Sequence, residues 1–181
     1  MQLNLRLALI SALALLPMIS HAADGEIKIT GTIVTNTCEI TTGTPVGTHI
    51  VVLPTVSANA LTAAGTTAGR TPIAINLTNC TPNSGKVSLY FEPGSGTDMS
   101  TGKLKNKEPS ASGGAENVQV GLLNADFSPI ALDKPQAFQN SQLVDITSGG
   151  ATLTYFAEYY SLGGVTAGAV KADTFFTLTY P

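Results

Sequence analysis

The chain has 181 residues, and only 12% of them are charged, about half the share of a typical globular domain. Its formal net charge is −3 and it has no run of basic residues, which argues against a nucleic-acid partner because such a partner requires clustered Lys and Arg. The length allows one domain and hardly two. With 24 Thr and 18 Gly, the composition favours strands and turns over helices.

The N-terminus has the pattern of an export signal. Arg6 is followed by an apolar run over residues 7–19, and Ser20-His21-Ala22 places small residues at the −3 and −1 positions of a signal peptidase site. The run is too short to cross a bilayer, which takes about 20 residues. We predict a signal peptide at residues 1–22 and a mature chain that starts at Ala23. The alternative, a buried N-terminal helix, does not explain the small residues that follow the apolar run.

Apolar and polar residues alternate along most of the remaining chain, which is typical of half-buried strands. The alternating runs lie at residues 27–33, 73–77, 87–89, 118–122, 153–159 and 170–180. Turn-forming Gly, Pro, Asn and Ser separate them, and Ser57–Leu61 predicts one short helix. About seven or eight strands in one chain of this length predict an all-β antiparallel sandwich.

Residues for catalysis or metal binding are scarce. His49 is the only His after the predicted signal peptide, no G-x-S-x-G motif surrounds any Ser, and one His with two Cys gives no zinc-type spacing. We therefore expect no enzyme, no catalytic residue, no metal and no cofactor. In Thr48-His49-Ile50, we expect His49 to be an exposed strand residue.

Cys38 and Cys80 stand 42 positions apart and are the only cysteines. Two cysteines in an exported chain most simply pair, and closing a loop of that size contributes roughly 4 kcal/mol in the chain-entropy model. A redox role is the alternative, but there is no C-x-x-C motif. Each Cys follows an alternating run, so the bridge would tie those two regions together.

The two ends of the predicted mature chain carry unusual alternating segments. Residues 23–36 precede Cys38 and would present one face made of Ile27, Ile29, Gly31 and Ile33. The segment is either the first strand of the sandwich or a strand that fits a groove in another molecule. The second alternative would account for the Gly, which weakens an ordinary strand. At the other end, Phe176-Thr177-Leu178-Thr179-Tyr180-Pro181 is an apolar strand that aggregates unless it is covered.

The order and spacing of these features resemble those of fimbrial subunits (pilins) of the chaperone–usher pathway, of the type 1 major-subunit kind. The matching features are an alternating N-terminal extension, a first Cys, a second Cys just after the strand Ile73–Leu77, the Tyr159-Tyr160 strand, a Thr166-Ala167-Gly168 turn and the penultimate Tyr180. Gly168 is the fourteenth residue from the C-terminus, where the family has its characteristic Gly. Ile73 stands where many members have Phe, and the chain ends in Pro181.

The resemblance implies an incomplete immunoglobulin-like sandwich that lacks its last strand. A periplasmic chaperone lends a strand first, and the N-terminal extension of a neighbouring subunit then replaces it, so the partners would be a chaperone, an outer-membrane usher and further pilin subunits. The donor strand would present Ile27, Ile29, Gly31 and Ile33. The acceptor groove and chaperone recognition would involve Gly168, Val170, Ala172, Phe176, Leu178 and Tyr180.

The sequence therefore predicts a structural subunit that reaches the cell surface through the periplasm, forms a fimbria and supports adhesion. Its expected divisions are a signal peptide (1–22), a donor-strand extension (23–36) and a pilin sandwich (37–181). We favour the major rod subunit because the donor segment is intact. A minor adaptor subunit and a secreted lectin-like binding module remain alternatives, and aromatic residues in loops would favour the second.

Overall fold

The structure is a computed structural model, and it describes residues 30–42 and 47–181. The chain divides into two units, Met1–Ile33 and Val34–Pro181. In the first unit, residues 30–33 are exposed and belong to no helix or strand. The predicted signal peptide, together with Ile27 and Ile29, lies outside the described residues.

The second unit is built from short strands, as the alternating pattern predicts. Its strands are β1 (Thr37–Ile40), β2 (Thr67–Thr81), β3 (Gly85–Glu92), β4 (Thr97–Asp98), β5 (Lys103–Lys105), β6 (Val118–Leu123), β7 (Val144–Ile146), β8 (Ala151–Ser161) and β9 (Phe175–Thr179). Short 3₁₀ helices occur at Ala58–Leu61, Ser110–Ser112 and Gln136–Phe138. The first confirms the predicted short helix, and the Ser57 hydroxyl caps it by accepting from the N–H of Asn59 at 3.2 Å. Within the described ranges, no helix is long and apolar enough to cross a membrane.

The strands form two antiparallel sheets. One sheet has six strands in the order β1-β2-β8-β6-β5-β4, and the other has three in the order β7-β3-β9. The longest pairing joins β2 to β8, with Ile73 opposite Tyr155 and Ile75 opposite Leu153. In the smaller sheet, β9 is an edge strand, because among the described residues it pairs with β3 alone.

Most of the core consists of alternate side chains of the strands of both sheets. Its buried strand residues include Ile75, Leu77, Val87, Leu89, Leu122, Leu153 and Tyr155. The Phe91 and Tyr155 rings meet edge to face, with centroids 5.3 Å apart. Burying each large apolar side chain contributes about 1.5–3 kcal/mol, so period-two alternation determines which face of each strand becomes core.

The predicted disulfide is present between Cys38 and Cys80, with an S–S distance of 2.05 Å. The prediction that each cysteine follows a strand is wrong, because Cys38 lies within β1 and Cys80 within β2. These two strands pair directly, with Thr37 opposite Thr81. The bridge therefore joins two neighbouring strands at the outer edge of the larger sheet.

Candidate functional site

The C-terminal segment, residues 169–180, forms an edge with one apolar face, and we call it the open edge. The predicted groove residues Val170, Ala172, Phe176, Leu178 and Tyr180 all lie half-buried against the core. Phe175, between them in sequence, is 75% exposed. The structure thus places these five residues on one face, as the alternation predicts.

One side of the open edge is hydrogen-bonded to the body of the sandwich. Its C-terminal half, β9, pairs with β3, where Phe176 lies opposite Phe91 and Leu178 opposite Leu89. Its N-terminal half is bonded to a loop, residues 106–115. The Ala169 N–H donates to the Gly113 carbonyl at 2.9 Å, and the Lys107 N–H donates to the Lys171 carbonyl at 2.7 Å.

The other side of the open edge has no partner among the residues that the structure describes. The backbone groups of Val170, Ala172 and Thr174 make no hydrogen bond to any described residue. In a strand, the N–H and C=O of successive residues point to opposite sides, and the odd-numbered residues 169 and 171 bond to the loop. The even-numbered residues therefore direct a row of free donors and acceptors away from the body.

A second extended stretch, residues 48–56, lies across from the open edge, and we call it the facing segment. Its side chains alternate, since Val51 and Leu53 pack against the core while Ile50 and Val52 are each 79% exposed. No backbone hydrogen bond joins this segment to any other described part of the chain. It has the side-chain pattern of a strand, although no described residue pairs with its backbone.

An apolar groove of about 550 Å³ separates the open edge from the facing segment. Its floor comes from the larger sheet and includes Ile73, Ile75, Leu104, Val120, Leu122 and Ala157. A smaller cavity of about 360 Å³ continues it and shares Tyr159 and Val170 with it. The two cavities together extend from Phe176 to Gly168, with Val51 and Leu53 along the opposite wall.

Gly168 lies at the far end of this groove, where the backbone approaches another stretch of backbone closely. A Cβ at this position would lie 2.6 Å from the carbonyl carbon of Gly114 and would overlap the amide nitrogen of Ala115. Gly114 also forms a parallel bridge with Ala169. The structure therefore accounts for Gly at position 168 by the space available, because any side chain would push the open edge off the loop.

His49 is not the exposed strand residue that the sequence predicts. Its ring is half-buried at the mouth of the groove, with its centroid 5.9 Å from that of Phe176 on the opposite wall. Its Nε2 is buried and has no hydrogen-bond partner among the described residues. Burial lowers the pKa of the imidazole, because desolvation disfavours the charged form.

Tyr180 closes the C-terminal end of the open edge. Burial raises the pKa of its hydroxyl, because desolvation disfavours the charged form. Tyr180 and Cys38 of β1 both pack, half-buried, against the same hydrophobic core. The C-terminal end of the open edge is held by the pairing of β9 with β3, where Thr179 lies opposite Ser88.

Of the predicted donor residues, the structure describes Gly31 and Ile33. Both are exposed, and Ile33 is exposed over its whole side chain. The sequence did not predict the facing segment, although His49, Val51 and Leu53 share one face in a period-two pattern.

Comparison with known proteins agrees with this geometry. The family model described as Type-1 fimbrial protein, A (FimA) matches residues 53–181. The chain is 45% identical to the major fimbrial subunit SMF-1 of Stenotrophomonas maltophilia, over 93% of this chain and 99% of that protein. It is 43% identical to the F17 fimbrial protein of Escherichia coli, over 88% of each. It is 36% identical to the minor fimbrial subunit HifD of Haemophilus influenzae, over 97% of this chain and 82% of that protein.

Solved structures show the same fold. The type I fimbria protein of Burkholderia pseudomallei has a TM-score of 0.55 and 29% identity, over 79% of this chain and 88% of that one. The P pilus rod subunit PapA has a TM-score of 0.59 over 80% of this chain and 99% of its own, and at 22% identity it supports the fold alone. The predicted incomplete immunoglobulin-like sandwich is confirmed. With a family match over residues 53–181 and a relative 45% identical along nearly its whole length, the chain belongs to the type-1 fimbrial protein A family.

Proposed function

We propose that this protein is the major structural subunit of a surface fimbria and that it polymerises by donor-strand exchange. The observation that carries the proposal concerns one side of the open edge, which has no backbone partner among the described residues. Across an apolar groove, it faces a segment that likewise lacks one. One added strand would satisfy both rows of backbone groups and cover the floor. This is the β-strand-addition mode of recognition, in which main-chain hydrogen bonds supply affinity and alternate side chains supply specificity.

The N-terminal segment of another copy has the dimensions of that strand. From Ile27 to Ile33 there are six residue steps, as there are from Val170 to Phe176, and each distance is about 20 Å in extended chain. Ile27, Ile29, Gly31 and Ile33 would face the groove floor. A shift of one residue would turn Lys28 and Thr30 inward, so the apolar pattern determines the register.

The same geometry leads to a filament. Donor and groove belong to the same kind of chain, so each contact is head-to-tail and leaves one free donor and one free groove at the ends. Before assembly, the groove floor needs another cover, which we assign to a strand from a periplasmic chaperone, with an outer-membrane usher carrying out the exchange. In this proposal residues 1–22 direct export, residues 23–36 are the donor strand and residues 37–181 are the sandwich.

The relatives favour a structural role over a catalytic one, and we propose that the chain is not an enzyme. The two most similar of the relatives named above are called a major fimbrial subunit and a fimbrial protein. A minor adaptor subunit is the second candidate because HifD, a minor subunit, is 36% identical to this chain. The two candidates differ in copy number along the filament, which immunogold labelling of isolated fimbriae measures.

A pair of single substitutions in the donor segment tests the exchange. Ile29→Asp places a carboxylate against the apolar floor, whereas Thr30→Asp, its matched control, places the same charge on the outward face. Burying an unpaired charge costs several kcal/mol. We therefore expect Ile29→Asp to abolish filaments and Thr30→Asp to leave them, when the full-length chain is expressed with a chaperone and usher of the family and filaments are counted by electron microscopy.

Both variants keep residues 34–181 unchanged, so both should reach the periplasm in wild-type amounts. Filaments at wild-type frequency in the Ile29→Asp variant would show that this segment does not enter the groove.

A further inference from the structure

Asn106 connects the N-terminal half of the open edge to the loop that supports it. Its side-chain amide donates to the carbonyls of Ala115 at 2.8 Å and Ala169 at 3.0 Å. Its Oδ1 accepts from the N–H groups of Glu108 at 3.0 Å and Lys171 at 2.9 Å. One side chain thus makes four hydrogen bonds, two of them within the loop and two to the edge.

Within the part of the chain that the structure describes, no continuous strand ladder supports this half of the edge. The regular pairing with β3 covers Phe175–Thr179 only, while residues 106–115 are irregular and contain the 3₁₀ helix Ser110–Ser112. Backbone bonds reach Ala169 and Lys171 at separate points along the loop. The Asn106 side chain occupies the interval between these points, where a strand partner would otherwise supply bonds.

Ion pairs lie along the same contact, but they are weaker candidates for holding it. Lys107 pairs with Asp173 at 2.7 Å and Lys171 pairs with Glu108 at 2.5 Å. In each pair at least one side chain is more than half exposed, and exposed pairs contribute little because water and salt screen them. The uncharged amide of Asn106 is not weakened by salt in this way.

We propose that Asn106 is a positioning residue that sets the open edge in the geometry that an incoming strand requires. This inference rests on the proposed strand exchange. The free backbone groups of Val170, Ala172 and Thr174 line up only while Ala169 and Lys171 are fixed on the opposite side. If the loop released them, the incoming strand would have to order the edge as it binds, and preorganisation of that kind determines how fast and how tightly a partner binds.

A positioning residue and a purely structural residue are expected to behave differently in the completed complex, in which a strand fills the groove. Once a strand has entered, it bonds directly to the even-numbered residues and holds the edge from the other side. Loss of the Asn106 side chain should therefore strongly slow the uptake of the incoming strand, but it should change the stability of the completed subunit much less. A purely structural side chain would affect both alike.

Because the chain's own N-terminal segment would compete for the groove, the test uses the mature exported chain carrying Ile29→Asp, refolded alone and then mixed with a fluorescent peptide of residues 23–36 that keeps Ile29. This chain with Asn106 intact is the wild type of the comparison below. The variant is Asn106→Ala, and the matched control is Asn76→Ala, which removes the acceptor of a single bond of 2.9 Å that the Thr152 hydroxyl donates. We expect uptake by Asn106→Ala to be roughly tenfold slower than wild type, and uptake by Asn76→Ala to be unchanged. The melting temperature of the filled Asn106→Ala complex should stay within a few degrees of wild type.

Equal uptake rates for Asn106→Ala and wild type would overturn the inference, as would a loss of melting temperature in proportion to the loss of rate. If Asn106→Ala does not refold, Asn106→Asp replaces it, because the carboxylate keeps both acceptor bonds and loses both donor bonds. An Asn106→Asp rate below wild type supports the inference and a wild-type rate contradicts it. If the wild-type chain itself takes up no peptide, the proposed strand exchange fails, which is a separate result.

Discussion

The imidazole of His49 lies among the apolar side chains that line the groove. His49 faces Phe176 across the groove, and its buried Nε2 has no partner among the described residues. Asp173 also lines the groove, but it is paired with Lys107 at 2.7 Å. Burial without a counter-charge therefore favours the neutral ring and lowers its pKa.

This lowered pKa predicts a pH dependence of stability that one substitution should remove. The unfolded chain binds a proton at His49 near the ordinary pKa of about 6.5, and the folded chain does so only at lower pH. Stability is therefore fully present above pH 6.5 and falls as the pH drops toward the folded value. We expect the melting temperature of the exported chain to decrease between pH 7 and pH 5, and to decrease less in His49→Phe, which keeps a ring against Phe176.

Thermal scans of the two proteins in the same buffers measure the difference. Carboxylates titrate mainly below this range and are common to both proteins, so they cancel. Identical pH profiles would show that His49 does not titrate differently in the folded and unfolded states.

The sequence predicts some single residues of the groove and not others. The prediction that His49 is exposed is wrong, and the alternation argues against it, because His49, Val51 and Leu53 share one face and the last two are apolar. For Gly168, the sequence shows only its distance from the C-terminus. The reason that it must be Gly is the backbone of Gly114 and Ala115, which comes from a loop more than 50 positions earlier in the chain.

At the scale of elements, the open edge consists of two halves with different supports. The period-two pattern predicts correctly that even-numbered residues from Val170 to Tyr180 face inward, because local pleating follows from sequence. It does not predict that only Phe175–Thr179 pairs with β3 while the preceding half rests on the loop at 106–115. Which part of the chain each half of the open edge bonds to depends on contacts between residues that are distant in sequence. The alternation of apolar and polar residues does not predict such contacts.

The direction of each backbone group along this edge yields a prediction about proline. Ala172 has no backbone bond among the described residues, whereas the Lys171 N–H donates to Asn106. Since Pro removes an N–H and tolerates extended backbone at a sheet edge, Ala172→Pro should refold with the wild-type urea midpoint. It should nevertheless gain less stability than wild type from the peptide of residues 23–36, by about 1–3 kcal/mol, because one donor needed for pairing is missing.

Lys171→Pro is the neighbouring control. It leaves the Asn106 oxygen short of a donor and should lower the stability of the empty chain by about 1–3 kcal/mol. Urea unfolding with and without the peptide measures both effects. A peptide-dependent gain in Ala172→Pro equal to that of wild type would mean that the incoming strand does not pair at this edge.

At the scale of the whole molecule, the smaller sheet ends where a further strand would fit. The order β7-β3-β9 is followed by an open groove and then by the facing segment. Composition and alternation predict an antiparallel sandwich, because both depend only on which residues can be buried on one face. They do not predict that the sandwich is incomplete, since a missing strand leaves no mark on the strands that are present. That expectation came from the resemblance to pilins.

A copy of the donor segment placed on the same chain should convert the polymer into a monomer. A strand running back along β9 is antiparallel to it, so a short flexible linker after Pro181 followed by residues 23–36 can reach the groove. Linking makes the exchange intramolecular, at an effective concentration in the millimolar range, which favours the attached strand over that of a neighbour. We expect this extended chain to be monomeric by light scattering, to melt at a higher temperature than the wild-type chain and to form no filaments, although its own N-terminal segment is intact.

The matched control carries Ile29→Asp in the appended copy alone and should polymerise as the wild type does, because its groove stays open. Filaments from the chain with the intact appended copy at wild-type frequency would show that subunits join through a different surface.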